Sequence, residues 1–293
     1  MPYPPQGYAL LAKTILEKSP DEIAAIFESV TDVDYLAAFT NGALPPSTAA
    51  SIFNSSKLSA LKAARIFDNA NLSFDKAIQI LVNPNLSDAR ASSIIDNMSN
   101  IPKKIALLRD FERLFNKWTY VVINAAGGYA WQQVTDYAYK DTYSARLYGY
   151  SHNGTGRDHR SKAYLTSTGV ANKKIRVKLY EVSVFSSSYG ASYGIYAKFG
   201  NYAIYWIVAY SAAAVVPDLA PNVASRNASV TTIGNWKEAV TDVTIASAFS
   251  AAGYPVPTDN DTVEIGVACR ACDGPGSCDS GRIDVRLDLF EVI

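Results

Sequence analysis

All three cysteines of the chain, Cys269, Cys272 and Cys278, fall in one short stretch, ACRACDGPGSCDSG, from Ala268 to Gly281. Cys-x-x-Cys followed by a glycine turn is the spacing of half a zinc ribbon. The other half is missing. Cys278 supplies a third thiolate, and the only histidines, His152 and His159 in SHNGTGRDHR, are the only candidates for an imidazole fourth ligand. The reading favoured by the loop is instead a disulfide from Cys272 to Cys278, closing a small ring across a hairpin and leaving Cys269 as a buried strand residue. It requires the two Cα atoms within about 7 Å. In a reducing compartment all three remain thiols.

Asp279-Ser280-Gly281 resembles the residues around the nucleophile of chymotrypsin-like proteases. Such an enzyme needs a histidine base in an Ala-His-Cys setting, and the sequence has none, so turn chemistry is the better account. Carboxylates available for glycosidic chemistry are Asp136, Asp141, Glu181, Glu238, Glu264, Asp284 and Asp288. A glycosidase needs two of them about 5–10 Å apart across a cleft. Asp284 and Asp288 share a strand face with Arg286 between them, which reads as a solvated face of mixed charge. Asp259, Asn260 and Asp261 offer oxygens to calcium without the spacing of an EF-hand. No cofactor is required by any motif, and zinc and calcium are the two metals the ligand types leave to test. Gly154 to Gly156 is too short for a phosphate-binding fingerprint.

Tyrosine is the other chemically telling residue. DYAYKDTYSARLYGY places Tyr137, Tyr139, Tyr143, Tyr148 and Tyr150 within residues 136–150. Tyrosine offers rigid amphipathic area that stacks on sugar rings or partner surfaces, and it is equally at home in sheet packing. These five are the candidate ligand-binding residues. Seven Asn-x-Ser/Thr sequons occur, at Asn54, Asn71, Asn85, Asn97, Asn153, Asn227 and Asn260. The last three lie in loop-like contexts suited to sugar attachment.

The elements that hold these residues divide at about residue 118. All four tryptophans lie from there on. The first part carries short units in register: KLSALKAARIFDNA (57–70), NLSFDKAIQILVNP (71–84) and NLSDARASSIIDNM (85–98), with a weaker copy at 43–56. Leu58, Leu72 and Leu86 align, as do Ser59, Ser73 and Ser87, and Ile66, Ile80 and Ile94. The serine is placed to cap a helix, and the asparagines Asn69, Asn83 and Asn97 to end it in a left-handed conformation. Helices of about ten residues are unstable alone, so stacking must bury the Leu and Ile rows. SPDE, Ser19 to Glu22, reads as a capping box, TDVD (31–34) as another start, and 100–117 as a longer helix.

Beyond residue 118 the period is two. Ile283, Val285, Leu287 and Leu289 alternate with Asp284, Arg286 and Asp288. Residues 193–210 read as a hairpin around Gly200 and Asn201. Further strands are expected near 119–124, 130–139, 143–150, 162–166, 239–246 and 262–269. Without interleaved helices, this favours an antiparallel β-sandwich or jelly roll. The fold class expected is thus α + β in two domains: residues 1–117, an array of short stacked helices for assembly or attachment, and residues 118–293, a binding sandwich.

Lysine plus arginine equals aspartate plus glutamate, 27 against 27. A basic face for nucleic acid is therefore absent at this level, although Gly156 to Lys162 is locally basic. MPYPPQGYALLAK lacks the positive leader of a signal peptide. The uncharged run Phe199 to Pro217 reads as buried strand rather than membrane span. Together these indicate a non-catalytic structural or adhesive protein that binds a glycan or a protein surface and self-assembles, as in a virion component or surface appendage. The alternative is a carbohydrate-active enzyme on a jelly-roll scaffold.

Overall fold

The structure is a computed structural model that describes residues 17–108, 117–124, 129–136, 144–150, 158–186, 190–272 and 282–293. The chain divides into two compact units, Met1–Leu114 and Phe115–Ile293.

The first unit contains seven described helices: α1 (Pro20–Ser29), α2 (Val33–Gly42), α3 (Pro46–Asn54), α4 (Ala60–Asp68), α5 (Phe74–Leu81), α6 (Asp88–Asp96) and α7 (Ile101–Leu108). Ser19 and Glu22 form the capping box that closes α1, since each satisfies a backbone N–H of the other's end. Asp32, rather than Thr31, caps α2. Ser59, Ser73 and Ser87 cap α4, α5 and α6 by accepting from the N–H groups of Lys62, Lys76 and Arg90. Leu58, Leu72, Leu86, Ile66, Ile80 and Ile94 are all buried.

Each helix packs on the next but one: α1 on α3, α2 on α4, α3 on α5, α4 on α6, α5 on α7. Two polar devices repeat along this stack. The last turn of one helix accepts from the serine ahead of the third helix on: Glu28 takes the N–H of Ser59, Asn41 that of Ser73, Asn54 that of Ser87 and Asp68 that of Ser99. The cation two residues inside each helix reaches back to a carbonyl: Lys62 to Val30, Lys76 to Leu44, Arg90 to Leu58 and Lys103 to Leu72. Phe27, Phe53 and Phe67 meet edge-on in the core at 6.4 and 5.1 Å between ring centroids. The helix-ending asparagines do not adopt the left-handed conformation. Among the described residues only Ala212 and glycines have positive φ. Asn69 and Asn83 instead accept the N–H two residues on, at 2.9 and 3.1 Å, so the turn is made by their side chains.

The second unit is two six-stranded sheets. The strands are β1 (Thr119–Asn124), β2 (Tyr129–Val134), β3 (Ser144–Tyr150), β4 (Asp158–Ser167), β5 (Ile175–Phe185), β6 (Ala191–Phe199), β7 (Tyr202–Ser211), β8 (Asn222–Asn227), β9 (Ser229–Ile233), β10 (Trp236–Val240), β11 (Val263–Cys272) and β12 (Arg282–Val292). The first sheet runs β1-β4-β11-β6-β7-β8, the second β2-β3-β12-β5-β10-β9. From β3 to β6 and from β10 to β12 the chain switches sheet at each step. Period-two alternation then points one side of every central strand into a common core of Leu147, Ala163, Val177, Leu179, Ile195, Trp206, Val267, Ile283, Val285 and Leu287. The run Phe199 to Pro217 supplies β7, with Gly200 and Asn201 as its turn. Among the described residues no helix is long and apolar enough to cross a membrane.

Three further expectations are corrected. The apolar run expected as a strand near 239–246 ends at β10 and continues as a helix, α8 (Ile245–Ala251). Thr244 caps it, and Ile245, Ala248 and Phe249 are buried, which is helical spacing. The sheets are not wholly antiparallel, because β8 pairs with β7 in parallel. The charged face of β12 is not solvated: Asp284 is 1% exposed, Arg286 3% and Asp288 6%.

Candidate functional site

Alternation along β12 sends Ile283, Val285 and Leu287 to the core and Asp284 and Arg286 to the outer face of the second sheet. Across that face the register aligns Arg146 of β3, Arg286 of β12, Tyr180 of β5, Trp236 of β10 and Ile233 of β9. The neighbouring row holds Tyr148, Asp284 and Ser183.

Asp284 is the hub. Arg146 donates Nε to Oδ1 at 3.0 Å and Nη2 to Oδ2 at 2.8 Å. Arg286 donates to Oδ1 through Nη1, and Arg282 to Oδ2 at 3.1 Å. Arg286 turns its other edge to Asp136, at 2.8 and 2.5 Å. Burial pushes the Asp284 carboxyl up, but hydrogen bonds and charge from Arg146 and Arg286 outweigh it and hold the group below the usual carboxylate range. The Arg286 guanidinium is pushed down by burial and raised, on balance, by Asp136 and Asp284. Side-on pairs of this kind fix both partners in orientation.

Aromatic rings flank the hub. Tyr148 is half-buried, with the guanidinium of Arg146 4.6 Å and that of Arg282 5.7 Å from its ring centroid. Tyr180 and Trp236 meet edge-to-face at 5.1 Å, both half-buried on the same outer face. The sequence reading missed this pair, whose partners lie 56 positions apart; the visible signal was alternation in KKIRVKLYEV, which puts Tyr180 opposite Leu179.

Of the five tyrosines expected to bind ligand, Tyr148 stands on this face. The backbone of Tyr150 ends β3, and its side chain lies outside the described residues, as do Tyr137, Tyr139 and Tyr143. Cys278, His152, Asp141, Asn153, Gly154 to Gly156 and Asp279 to Gly281 also lie outside them, so the Cys272–Cys278 disulfide does too.

His159 and Cys269 are brought together inside the sandwich rather than at a loop. Both are fully buried. Ser161 Oγ stands between them, 3.2 Å from His159 Nε2 and 3.3 Å from Cys269 Sγ. A Cβ at Gly149 would come within 2.4 Å of the histidine ring, so only glycine lets β3 close over it. Burial pushes the Cys269 thiol up to about 11, which opposes the thiolate that zinc needs. Among the described residues no three His, Cys, Asp or Glu side chains cluster for a metal. Asp259 instead holds Asn172, and Asp261 holds Thr258; those hydrogen bonds keep both carboxyls low.

Glu181, Glu264 and Glu238 also meet cations. Glu181 takes Lys237 at 2.5 Å and the Tyr193 hydroxyl at 2.9 Å. Glu264 takes Lys162 and the Tyr196 hydroxyl, and Glu238 lies 3.6 Å from Lys178. The basic residues Arg160 and Lys162 of the 156–162 segment are paired with Asp218 and Glu264. The outer face of the first sheet is covered by residues 212–221: Leu219 joins Tyr196, Tyr205, Ala203 and Ala268 in a second small core.

No family model and no curated protein matches the chain. Among solved structures it is similar to a carbohydrate-binding module of the β-sandwich superfamily studied for promiscuous specificity, at 10% identity and TM-score 0.36, covering 60% of this chain and 57% of that one. It is also similar to a carbohydrate-binding module in complex with β-1,4-galactotriose, at 12% identity and TM-score 0.32 over 61% of this chain and 89% of the other. A third is the glycoside hydrolase domain of Endo-D from Streptococcus pneumoniae R6, at 10% identity and TM-score 0.30 over 60% and 21%. The chain thus spans less than two thirds of the first of these structures. Likeness at this level says nothing of what this chain binds.

Proposed function

We propose that the chain is a non-catalytic adhesive or structural protein whose β-sandwich, with a jelly-roll strand path, binds a glycan through the outer face of the second sheet. The single observation that carries this reading is the pairing of Tyr180 and Trp236 with the Arg146–Asp284–Arg286–Asp136 network on one face. Sugar recognition asks for aromatic surface to cover the apolar face of a pyranose and for planar polar groups beside it. The network supplies the second with its orientation already fixed. Tyr148, on β3, borders this surface, and Tyr137, Tyr139, Tyr143 and Tyr150 are proposed with it as ligand-binding residues. The helical unit, whose interior is closed by repeating caps, serves as the attachment or assembly module, as in a virion component or surface appendage.

The enzymatic alternative draws no support from Asp284. A glycosidic general acid needs a raised pKa, and Asp284 is held low.

A glycan array followed by titration calorimetry on the full chain tests the proposal. Binding is expected to drop at least about tenfold in Trp236→Ala, consistent with the loss of one stacked ring at roughly 1.5 kcal/mol, while Glu264→Gln on the other sheet leaves it unchanged. Turnover of any bound oligosaccharide, or binding indifferent to Trp236, overturns it.

A further inference from the structure

The second sheet ends in β9, Ser229–Ile233, whose five residues are all exposed. Edge strands in proteins that must stay apart are blunted by lysine, proline, a bulge or a covering element. The sequence here is Ser-Val-Thr-Thr-Ile: uncharged, without proline, and β-branched at four positions. It pairs with β10 in unbroken register, so no bulge twists it away. Among the described residues no backbone group outside β10 bonds to 229–233.

We propose that β9 is a self-association edge that pairs antiparallel with β9 of a second copy of this chain, about a two-fold axis at Thr231. The turn fixes the register. Gly234 and Asn235 form a two-residue hairpin loop with Gly234 at φ +62°, so Ile233 and Trp236 are the closing hydrogen-bonded pair. By alternation Ile233, Thr231 and Ser229 direct their backbone groups to β10, and Val230 and Thr232 direct theirs outward. A two-fold at Thr231 sets Val230 of each copy opposite Thr232 of the other, so every outward group meets a complement. The occupant is a second copy because the strand is its own complement: no charge repels across the axis, and the contact is isologous and closes.

Two further observations fit this occupant. Apolar side chains are exposed on both faces at this edge: Ile233, 67% exposed, on the outer face, and on the other Val230, 37%, beside Tyr210, 58%. Val230, Ala228, Asn227, Tyr210 and Lys237 line a cavity of about 410 Å³ beside this edge. Thr231 and Ile233 share the outer face with Trp236, so pairing would join two copies of the proposed ligand face into one sheet surface. The pairing itself does not depend on what that face binds.

Sedimentation equilibrium on the full chain tests the assembly, and cysteine cross-linking tests the register. The wild type is expected to dimerise with rising concentration. Val230→Pro removes an outward N–H while sparing the β10 ladder, and Thr232→Lys places a charge opposite Val230 of the other copy; each is expected to give a monomer with an unchanged far-UV spectrum. Thr231→Cys is expected to cross-link to a covalent dimer under mild oxidation, because the axis sets Thr231 against itself, whereas Ser229→Cys and the wild type do not. A wild type that stays monomeric at about 200 µM, dimers that persist in both edge variants, or cross-linking at Ser229→Cys in place of Thr231→Cys would overturn the proposal.

Discussion

Arg146 and Asp284, on the adjacent strands β3 and β12, meet side-on with two hydrogen bonds of 3.0 and 2.8 Å, and the aspartate side chain is only 2% exposed. A pair so placed costs desolvation to bury, but breaking it leaves a guanidinium stranded. Asp284→Ala takes the carboxylate from Arg146 and one of two carboxylate partners from Arg286, 4% exposed, which keeps Asp136. The expected loss is about 3–5 kcal/mol, read from urea unfolding of the full chain. A loss below about 1 kcal/mol would show that the network does not hold the face together.

The same carboxylate predicts an acid limb. Its folded pKa lies below the ordinary value of 3.8. The stability it contributes is therefore fully present above the unfolded pKa and is lost as pH falls through the folded one. Unfolding midpoints in urea should be level in this respect above about pH 5 and fall below about pH 4. In Asp284→Asn that part of the decline should be missing; equal slopes in the two proteins would refute the assignment.

Cys269 should be silent to alkylation in the folded protein. With its thiol pushed to about 11 and fully buried, roughly one molecule in a thousand is thiolate at pH 8, and even that one is shielded. Peptide mapping after iodoacetamide should find Cys269 labelled only in denaturant. The same unreduced map decides the Cys272–Cys278 disulfide: three alkylated cysteines in unfolded, unreduced protein rule it out.

In the helical unit, Ser73 caps α5 and donates its hydroxyl to Asn41 at 2.8 Å, while Asn41 also accepts the Ser73 N–H. Ser73→Ala should cost about 1 kcal/mol, the usual loss of an N-cap. Asn41→Ala should cost a similar amount, and the double variant less than the sum, because the two share one interaction. Strict additivity in thermal or urea unfolding would mean that the link between α2 and α5 carries no energy.

What could be read from the sequence was whatever is local. Ser59, Ser73 and Ser87 announce helix starts because capping acts within three residues. Ile283, Val285 and Leu287 announce a strand face because the pleat has a period of two. The short helix at Ile245–Ala251 escaped, since an apolar run of that length suits either period. β9 escaped because a strand exposed on both faces has no alternation to show.

The proposed ligand face was out of reach for a different reason. Asp136 and Arg286 lie 150 positions apart, and Tyr180 and Trp236 lie 56. Charged residues alternating with apolar ones along a strand look the same whether water or a guanidinium covers them. Only the order of strands in the sheet adds Arg146 and Asp136 to the Arg282 and Arg286 that flank Asp284 along β12, and converts a face that reads as solvated into a buried, oriented network.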